Sequence, residues 1–222
     1  MPIFFTNFQN MYGKIEKRAL RRFAMGFIDD IEVFSNMLDD YTLIEEDYYN
    51  KFAEICDRYN EHSIEPYNLF CYLLEDEIPM ESYYLQALMD VYSFYAVDDS
   101  FLDTLETVID TGYCKQYIDE THENLKEYIK DGYIVAYRGE FATGTRSNLD
   151  YKESVSYSLD YEEAKFFATR FRGALQLKKS VVYTVKVPIE DVVAYIEREN
   201  EVVCIPVSRG GKMEVIKEES ML

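Results

Sequence analysis

The spacing of apolar side chains changes near residue 132 and divides the sequence into two parts. Before that point, apolar residues recur at steps of three and four, which is the pattern of an amphipathic helix. This spacing predicts five helices, at residues 14–38, 43–60, 80–97, 100–112 and 114–130. Pro66 and Pro79 punctuate the pattern, and Gly112 is placed where it can end the fourth helix.

After residue 132 the apolar residues form short runs rich in β-branched and aromatic side chains, which favour strands. Six strands are predicted, at residues 133–138, 153–158, 180–188, 192–196, 201–207 and 213–216, the last at a sheet edge. The intervening segment 139–148 contains two glycines and predicts a loop. Helices followed by strands indicate an α+β protein, whose second part holds a mixed or antiparallel sheet.

One helix, at residues 160–172, interrupts the predicted strands. Asp160 is placed to cap it, with Glu163 at the capping-box position. Its apolar face is predicted to consist of Ala164, Phe167, Ala168 and Phe171.

Charge is as unevenly distributed as the apolar pattern. The 222 residues carry a net charge of −19. Residues 1–130 hold 10 basic and 27 acidic residues, a net charge of −17, whereas residues 131–222 hold 13 and 15, a net charge of −2. We therefore predict an acidic, Tyr-rich helical domain at residues 1–112 and a second domain at residues 113–222. The acidic surface disfavours nucleic acid as a partner, although a local basic groove in the second part stays open.

The composition also bears on compartment and cofactors. No apolar run is long enough to predict a membrane span, and the N-terminal residues lack the pattern of a secretory signal. The four cysteines are widely spaced and only two histidines are present, so we expect no metal centre. Reduced thiols in a cytoplasmic protein are the simplest interpretation. The tyrosines of the first part are expected to pack in its core, and a partner-binding face is the alternative.

Three pairs of small or polar residues lie at the ends of predicted strands in the second part. They are Arg138 with Gly139, Ser156 with Ser158, and Glu199 with Glu201. Taken singly, they are typical of a surface ion pair, a helix cap and a solvated face. The last pair raises a question, because residues i and i+2 of a strand share one face, where two carboxylates repel each other.

In this order, the three pairs resemble the motifs of the mono-ADP-ribosyltransferase family. They stand as AYRGE (136–140), SVSYSLDYEEAKFFA (154–168) and ERENEVVCIP (197–206). The resemblance covers about 90 residues at the C-terminus, or about 110 if the predicted helix 114–130 belongs to it, and does not extend to the first 110. It implies a β-sandwich-like transferase core and NAD as co-substrate, without a metal.

The resemblance also implies roles for the residues that would bind NAD. Arg138 would hold the pyrophosphate or the adjacent ribose, because a guanidinium is planar and permanently charged. Gly139 would let backbone amides approach the nicotinamide carboxamide. Ser156 would keep the NAD-binding strand and the catalytic glutamate in register, and Ser158 would support the same cleft.

The two glutamates would carry the chemistry. Glu201 would stabilise the oxocarbenium-like ribose that forms as its bond to nicotinamide breaks, and would grip a ribose hydroxyl. Glu199 would orient and deprotonate the incoming nucleophile. Glu197 competes for that role, but its four-residue distance from Glu201 disfavours it. The basic segment 169–180 would form the loop over bound NAD, or else carry solubilising charge only.

The expected function is therefore transfer of ADP-ribose from NAD to a macromolecule, with protein arginine as the favoured acceptor. The alternatives are modification of a nucleic-acid base, hydrolysis of NAD, and a non-catalytic interaction protein on a degenerate transferase fold. Compact transferases of this kind occur in bacteria and their phages as toxins, effectors or defence factors. The helical domain would then select the target, restrain the active site, or bind an inhibitor, antitoxin or other regulatory partner.

Overall fold

The computed structural model describes residues 29–59, 64–92, 99–112, 114–142, 154–171 and 177–222. The chain divides into two compact units, Met1–Tyr113 (unit 1) and Cys114–Leu222 (unit 2). Helices fill unit 1 and strands dominate unit 2, which confirms the predicted α+β class. Within the described ranges, no helix has both the length and the apolar character needed to cross a membrane.

Unit 1 is built from helices that bury their apolar faces against one another. They are α1 (29–37), α2 (Glu45–Cys56), α3 (Glu65–Glu75), α4 (Tyr84–Tyr92) and α5 (Asp99–Asp110). The core contains Phe52, Ile55, Phe70, Leu73, Leu85, Leu88, Phe101 and Leu105. Tyr84 is buried there too, and its hydroxyl donates a hydrogen bond of 2.6 Å to the Ile78 carbonyl. A buried tyrosine with a satisfied hydroxyl fits the core interpretation of these side chains.

Two helix boundaries in unit 1 depend on proline and glycine. The apolar pattern does not predict α3, because Pro66 suggests a break. Pro66 instead lies in the first turn of α3, where the missing N–H has no helical partner to lose. Gly112 follows α5 at a positive φ of 73°, and its N–H donates to the Ile109 carbonyl at 3.0 Å, which confirms the predicted helix end. Residues 14–28 of the first predicted helix lie outside the described residues.

Unit 2 begins with helix α6 (Lys115–Asn124) and continues into a six-stranded sheet. The strands are β1 (Tyr133–Ala142), β2 (Ser156–Ser158), β3 (Lys179–Pro188), β4 (Val192–Ile196), β5 (Glu201–Cys204) and β6 (Glu214–Ser220). Their order across the sheet is β4-β5-β2-β1-β3-β6, and each neighbouring pair is antiparallel. The described strands thus form one continuous sheet rather than the two facing sheets of a sandwich, and β6 lies at an edge as predicted.

Helix α7 (Tyr161–Thr169) follows β2 and packs on one face of the sheet. Its Ala164 and Ala168 are fully buried against Val182 of β3. The predicted apolar face is wrong for the two phenylalanines, because Phe167 and Phe171 remain 40% and 38% exposed. The two alanines let the helix lie close to the sheet, and Tyr161 at its start packs edge-to-face against Tyr137 of β1. The opposite sheet face covers the main core of unit 2, which includes Ile134, Tyr157, Val185, Val202 and Cys204.

In every strand but β4, one or both boundaries differ from the prediction by one to four residues, and the differences in β1 and β5 are the most informative. β1 continues to Ala142, because it pairs with β3 at all ten of its residues, so residues 139–142 are strand and not loop. The rest of that predicted loop lies outside the described residues. β5 ends at Cys204 rather than at residue 207, because Val207 already belongs to a 3₁₀ turn, Val207–Arg209.

Candidate active site

Arg138 lies where β1 and β2 separate. The two strands pair at one register position only, Tyr137 opposite Ser158. One residue further along β1, the side chain of Arg138 connects the two strands, because its Nη1 lies 3.2 Å from both the backbone oxygen and the Oγ of Ser156. Its Nη2 makes no hydrogen bond within the described part of the chain, and the side chain is 35% exposed. No described residue therefore occupies this end of the guanidinium, which can donate to an acceptor oxygen of a ligand.

Glu140 is a further charged residue of this site, beyond those that the sequence motifs predict. Its Oε1 lies 3.5 Å from Arg138 Nε and accepts a hydrogen bond of 3.0 Å from the Ser154 hydroxyl. Its Oε2 is buried and has no hydrogen-bond partner among the residues that the structure describes. A buried carboxylate oxygen without a donor is costly, so a water or a ligand hydroxyl that reached it would be stabilising. The signal was present in AYRGE, because residues i and i+2 of a strand share one face.

Gly139 faces the other side of β1, against α7. A Cβ atom at this position would lie 1.7 Å from the Ala164 carbonyl oxygen and 2.9 Å from the Ala168 amide nitrogen. The helix backbone occupies the space that any side chain would need, so glycine is required here for close packing of helix on sheet. That requirement is independent of any ligand, and the contact of its backbone with nicotinamide stays a prediction.

Ser158 and Glu201 lie directly opposite each other on β2 and β5. Such antiparallel partners have Cβ atoms about 4.5–5.5 Å apart and point to the same face. Ser158 Oγ accepts a hydrogen bond of 3.0 Å from the Asp160 amide. The Asp160 carboxylate in turn accepts from the amide of Glu162 at 2.7 Å, which confirms Asp160 as the cap of α7. Ser158 thus ties the start of α7 to the strand position beside Glu201.

Glu199 does not share a strand with Glu201. It ends a 3₁₀ turn, Glu197–Glu199, and Asn200 follows in the left-handed conformation, with φ 48° and ψ 43°. Glu201 is the first residue of β5. The expectation that the two carboxylates occupy one face of a single strand is therefore wrong, because the turn and the left-handed residue redirect the backbone between them. Glu199 Oε1 lies 3.2 Å from Arg198 Nε, and its side chain is 42% exposed.

Two basic residues in the described part of segment 169–180 make local contacts. The Arg170 guanidinium lies over the rings of Phe167 and Phe171, 4.7 and 4.9 Å from their centroids. Lys179 lies 3.3 Å from Glu218 on the neighbouring edge strand. Residues 172–176, where a loop over NAD was predicted, lie outside the described residues.

Other chemistries find less support around these strands. Burial, followed by the negative charges of Asp191 and Glu201, raises the pKa of the Cys204 thiol, so this thiol is neutral at physiological pH and is a poor nucleophile. Over the ranges that the structure describes, no group of three or more His, Cys, Asp or Glu side chains is placed to hold a metal ion.

The geometry gathers Arg138, Glu140 and Ser156 at one end of the β1–β2 separation, and Ser158 beside Glu201 on the adjoining strands. This arrangement offers a cation for an anionic ligand and a carboxylate for developing positive charge, both held by paired strands. Comparison of the chain with protein-family models, with curated proteins and with solved structures finds no match.

Proposed function

We propose that residues 114–222 bind NAD and transfer its ADP-ribose to a macromolecular acceptor, with protein arginine as the favoured acceptor. The observation that carries the proposal is the placement of Arg138, Ser158 and Glu201 on three adjacent strands, β1, β2 and β5. Ser156 anchors the guanidinium of Arg138, and β2 pairs with the strand that Glu201 opens. Strand pairing and the contact with Ser156 hold the carboxylate and the cation in place before a ligand binds, as preorganised catalysis requires.

The residues around Arg138 suit the chemistry of NAD. Its pyrophosphate presents acceptor oxygens, which the Nη2 of Arg138 can bind. Its ribose hydroxyls are donors, and the Oε2 atom of Glu140 is an acceptor that no described residue supplies with a donor. Arg138 can donate to a phosphate and Glu140 can accept from a hydroxyl, which supports a ligand that carries both groups side by side.

The reaction that we propose breaks the bond between ribose C1 and the nicotinamide nitrogen. Nicotinamide leaves with the bonding electron pair, and positive charge develops on the ribose. The Glu201 carboxylate interacts more strongly with that charge than with the neutral sugar, so it lowers the barrier. The acceptor nitrogen then bonds to C1 and gives up its proton, for which Glu199 is the proposed base.

The proposal extends to the cellular setting. All four cysteines are free thiols, which supports a reducing compartment such as the cytoplasm. We infer an intracellular effector, toxin or defence factor of bacterial or phage type. The acidic unit 1 would select the protein target or bind an inhibitor or regulatory partner.

The decisive experiment is incubation of the full chain with radiolabelled NAD, alone and with cell lysate. We expect release of free nicotinamide and label on lysate protein, with mass spectrometry locating ADP-ribose on arginine. Label on nucleic acid would change the acceptor, and nicotinamide release without any labelled product would indicate hydrolysis. Absence of nicotinamide release with every acceptor would overturn the proposal in favour of a non-catalytic interaction protein.

Replacing Glu199 by Gln is expected to affect transfer more than hydrolysis, since Gln cannot accept the proton of the acceptor. We expect transfer to fall by about 10²–10⁴-fold and nicotinamide release to water to fall by less than about threefold. Glu197→Gln is the matched control, because Glu197 lies in the same 3₁₀ turn and is exposed. Equal loss of both reactions in Glu199→Gln would contradict its role toward the acceptor.

A further inference from the structure

Asn200 separates the two glutamates and is held in place by three hydrogen bonds. Its N–H donates to the Glu197 carbonyl at 3.1 Å, and its own carbonyl accepts from the Leu159 amide at 2.8 Å. Its side-chain Oδ1 accepts a hydrogen bond of 3.2 Å from the Tyr195 hydroxyl. Leu159 directly follows Ser158, so Asn200 is tied both to the turn that carries Glu199 and to the strand end that faces Glu201.

The left-handed backbone of Asn200 sets the direction in which the chain passes from the turn into β5. This conformation is uncommon for residues other than glycine, although asparagine adopts it more readily than most. It persists where surrounding contacts over-determine it. The hydrogen bond from Tyr195 is the one of these contacts that joins two side chains, so it can be removed without touching the backbone.

Tyr195 is well placed to hold this turn. It lies on β4 opposite Val202 of β5, within the pairing that also sets Ile196 opposite Glu201. Burial, followed by electrostatic interactions with Tyr128 and Glu197 and a hydrogen bond with Tyr128, raises the pKa of its hydroxyl, which stays a donor. Neither Tyr195 nor Asn200 bonds to Arg138, Ser156 or Ser158 among the contacts of the described residues.

We propose that Tyr195 and Asn200 are positioning residues that fix Glu199 relative to Glu201, and so set how ADP-ribose partitions between an acceptor and water. This inference rests on the proposed function. The NAD side of the site depends on β2–β5 pairing and on Arg138, which the Tyr195–Asn200 bond does not contact. Loosening the bond therefore lets Glu199 move while the Glu201 carboxylate keeps its place on the strand.

The test uses the full chain with labelled NAD and two acceptors, the guanidino compound agmatine and total lysate protein. Tyr195→Phe removes the hydroxyl and keeps the ring, whereas Asn200→Gly removes Oδ1 and tolerates the left-handed backbone. Each single variant is expected to lower the ratio of transfer to hydrolysis by about three- to tenfold, with the KM for NAD unchanged, because one hydrogen bond is lost. Tyr133→Phe is the control, since it makes the same change on β1 and should leave the ratio unaltered.

The double variant decides whether the two residues act together. If they act through their shared bond, Tyr195→Phe combined with Asn200→Gly lowers the ratio no further than either single change. Multiplied effects, an unchanged ratio, or equal loss of both reactions would overturn the inference while leaving the NAD chemistry in place. A wild-type chain that releases nicotinamide but labels neither acceptor would overturn it as well. Failure of the wild type to release nicotinamide is a separate outcome, which defeats the proposed function itself.

Discussion

Replacing Glu201 by Gln is expected to lower nicotinamide release by about 10³-fold or more. Gln has nearly the same shape and can keep the position opposite Ser158 on β2, but it carries no charge. The rate should fall because the carboxylate acts on positive charge that exists only as the glycosidic bond breaks, and removal of a single well-placed group of this kind costs about 10²–10³-fold or more. Binding of NAD should change far less, since the ground-state sugar is nearly neutral at that atom.

The measurement is kcat and KM for nicotinamide release by the full chain, with circular dichroism to verify the fold. Glu214→Gln is the matched control, because Glu214 also opens a strand of the same sheet but is exposed on β6. A Glu201→Gln variant that retained most of its kcat would remove Glu201 from the catalytic role. A parallel loss in Glu214→Gln would indicate a general effect of charge.

Replacing Gly139 by Ala is expected to destabilise unit 2 by about 3 kcal/mol or more. Overpacking in a core commonly costs about 1–3 kcal/mol, and here the added Cβ would meet backbone atoms of α7, which cannot rotate away as a side chain can. The helix must move off the sheet, and Ala164 and Ala168 lose their burial against Val182. This prediction is independent of the proposed enzymatic function.

Hydrogen exchange of the α7 peptide followed by mass spectrometry is the suitable measurement, because a chain with two units need not unfold in one step. We expect exchange in residues 161–169 to accelerate markedly in Gly139→Ala. Gly210→Ala provides the contrast, since Gly210 has a φ of 99° but no neighbouring atom within 4 Å of an added Cβ. That variant should lose only about 1–2 kcal/mol through backbone strain and leave α7 protected. Wild-type exchange rates in the Gly139→Ala helix would refute the packing role.

The elements that sequence predicted well are those with a strong local signal. Residues 192–196 form β4 at the predicted bounds, because a short apolar run flanked by turns has few alternatives. Asp160 caps α7 as expected, because capping depends on a carboxylate and amides within three residues. The predictions fail where contacts between elements distant in sequence determine the structure. The length of β1 depends on its partner β3, and the exposure of Phe167 depends on how closely the helix approaches Gly139.

The candidate site was predictable as a set of residues but not as a geometry. Arg138, Ser156, Ser158 and Glu201 could be chosen from their order along the chain, and three adjacent strands hold them. The turn at Glu199 could not be foreseen, because period-two alternation says nothing about a left-handed residue at position 200. Glu140 could have been chosen because it shares a strand face with Arg138, but its hydrogen bond with Ser154 cannot be read from sequence spacing.

The single pairing position between β1 and β2 has a thermodynamic consequence. It joins two three-stranded halves, β4-β5-β2 and β1-β3-β6, with Glu201 on one and Arg138 on the other. A ligand that contacts both residues spans this junction, so part of its binding energy also holds the halves together. Affinity for the dinucleotide and resistance of the sheet to opening are then linked quantities. Above the dissociation constant, each tenfold increase in ligand concentration adds the same increment of free energy to the stability of the β1–β2 junction.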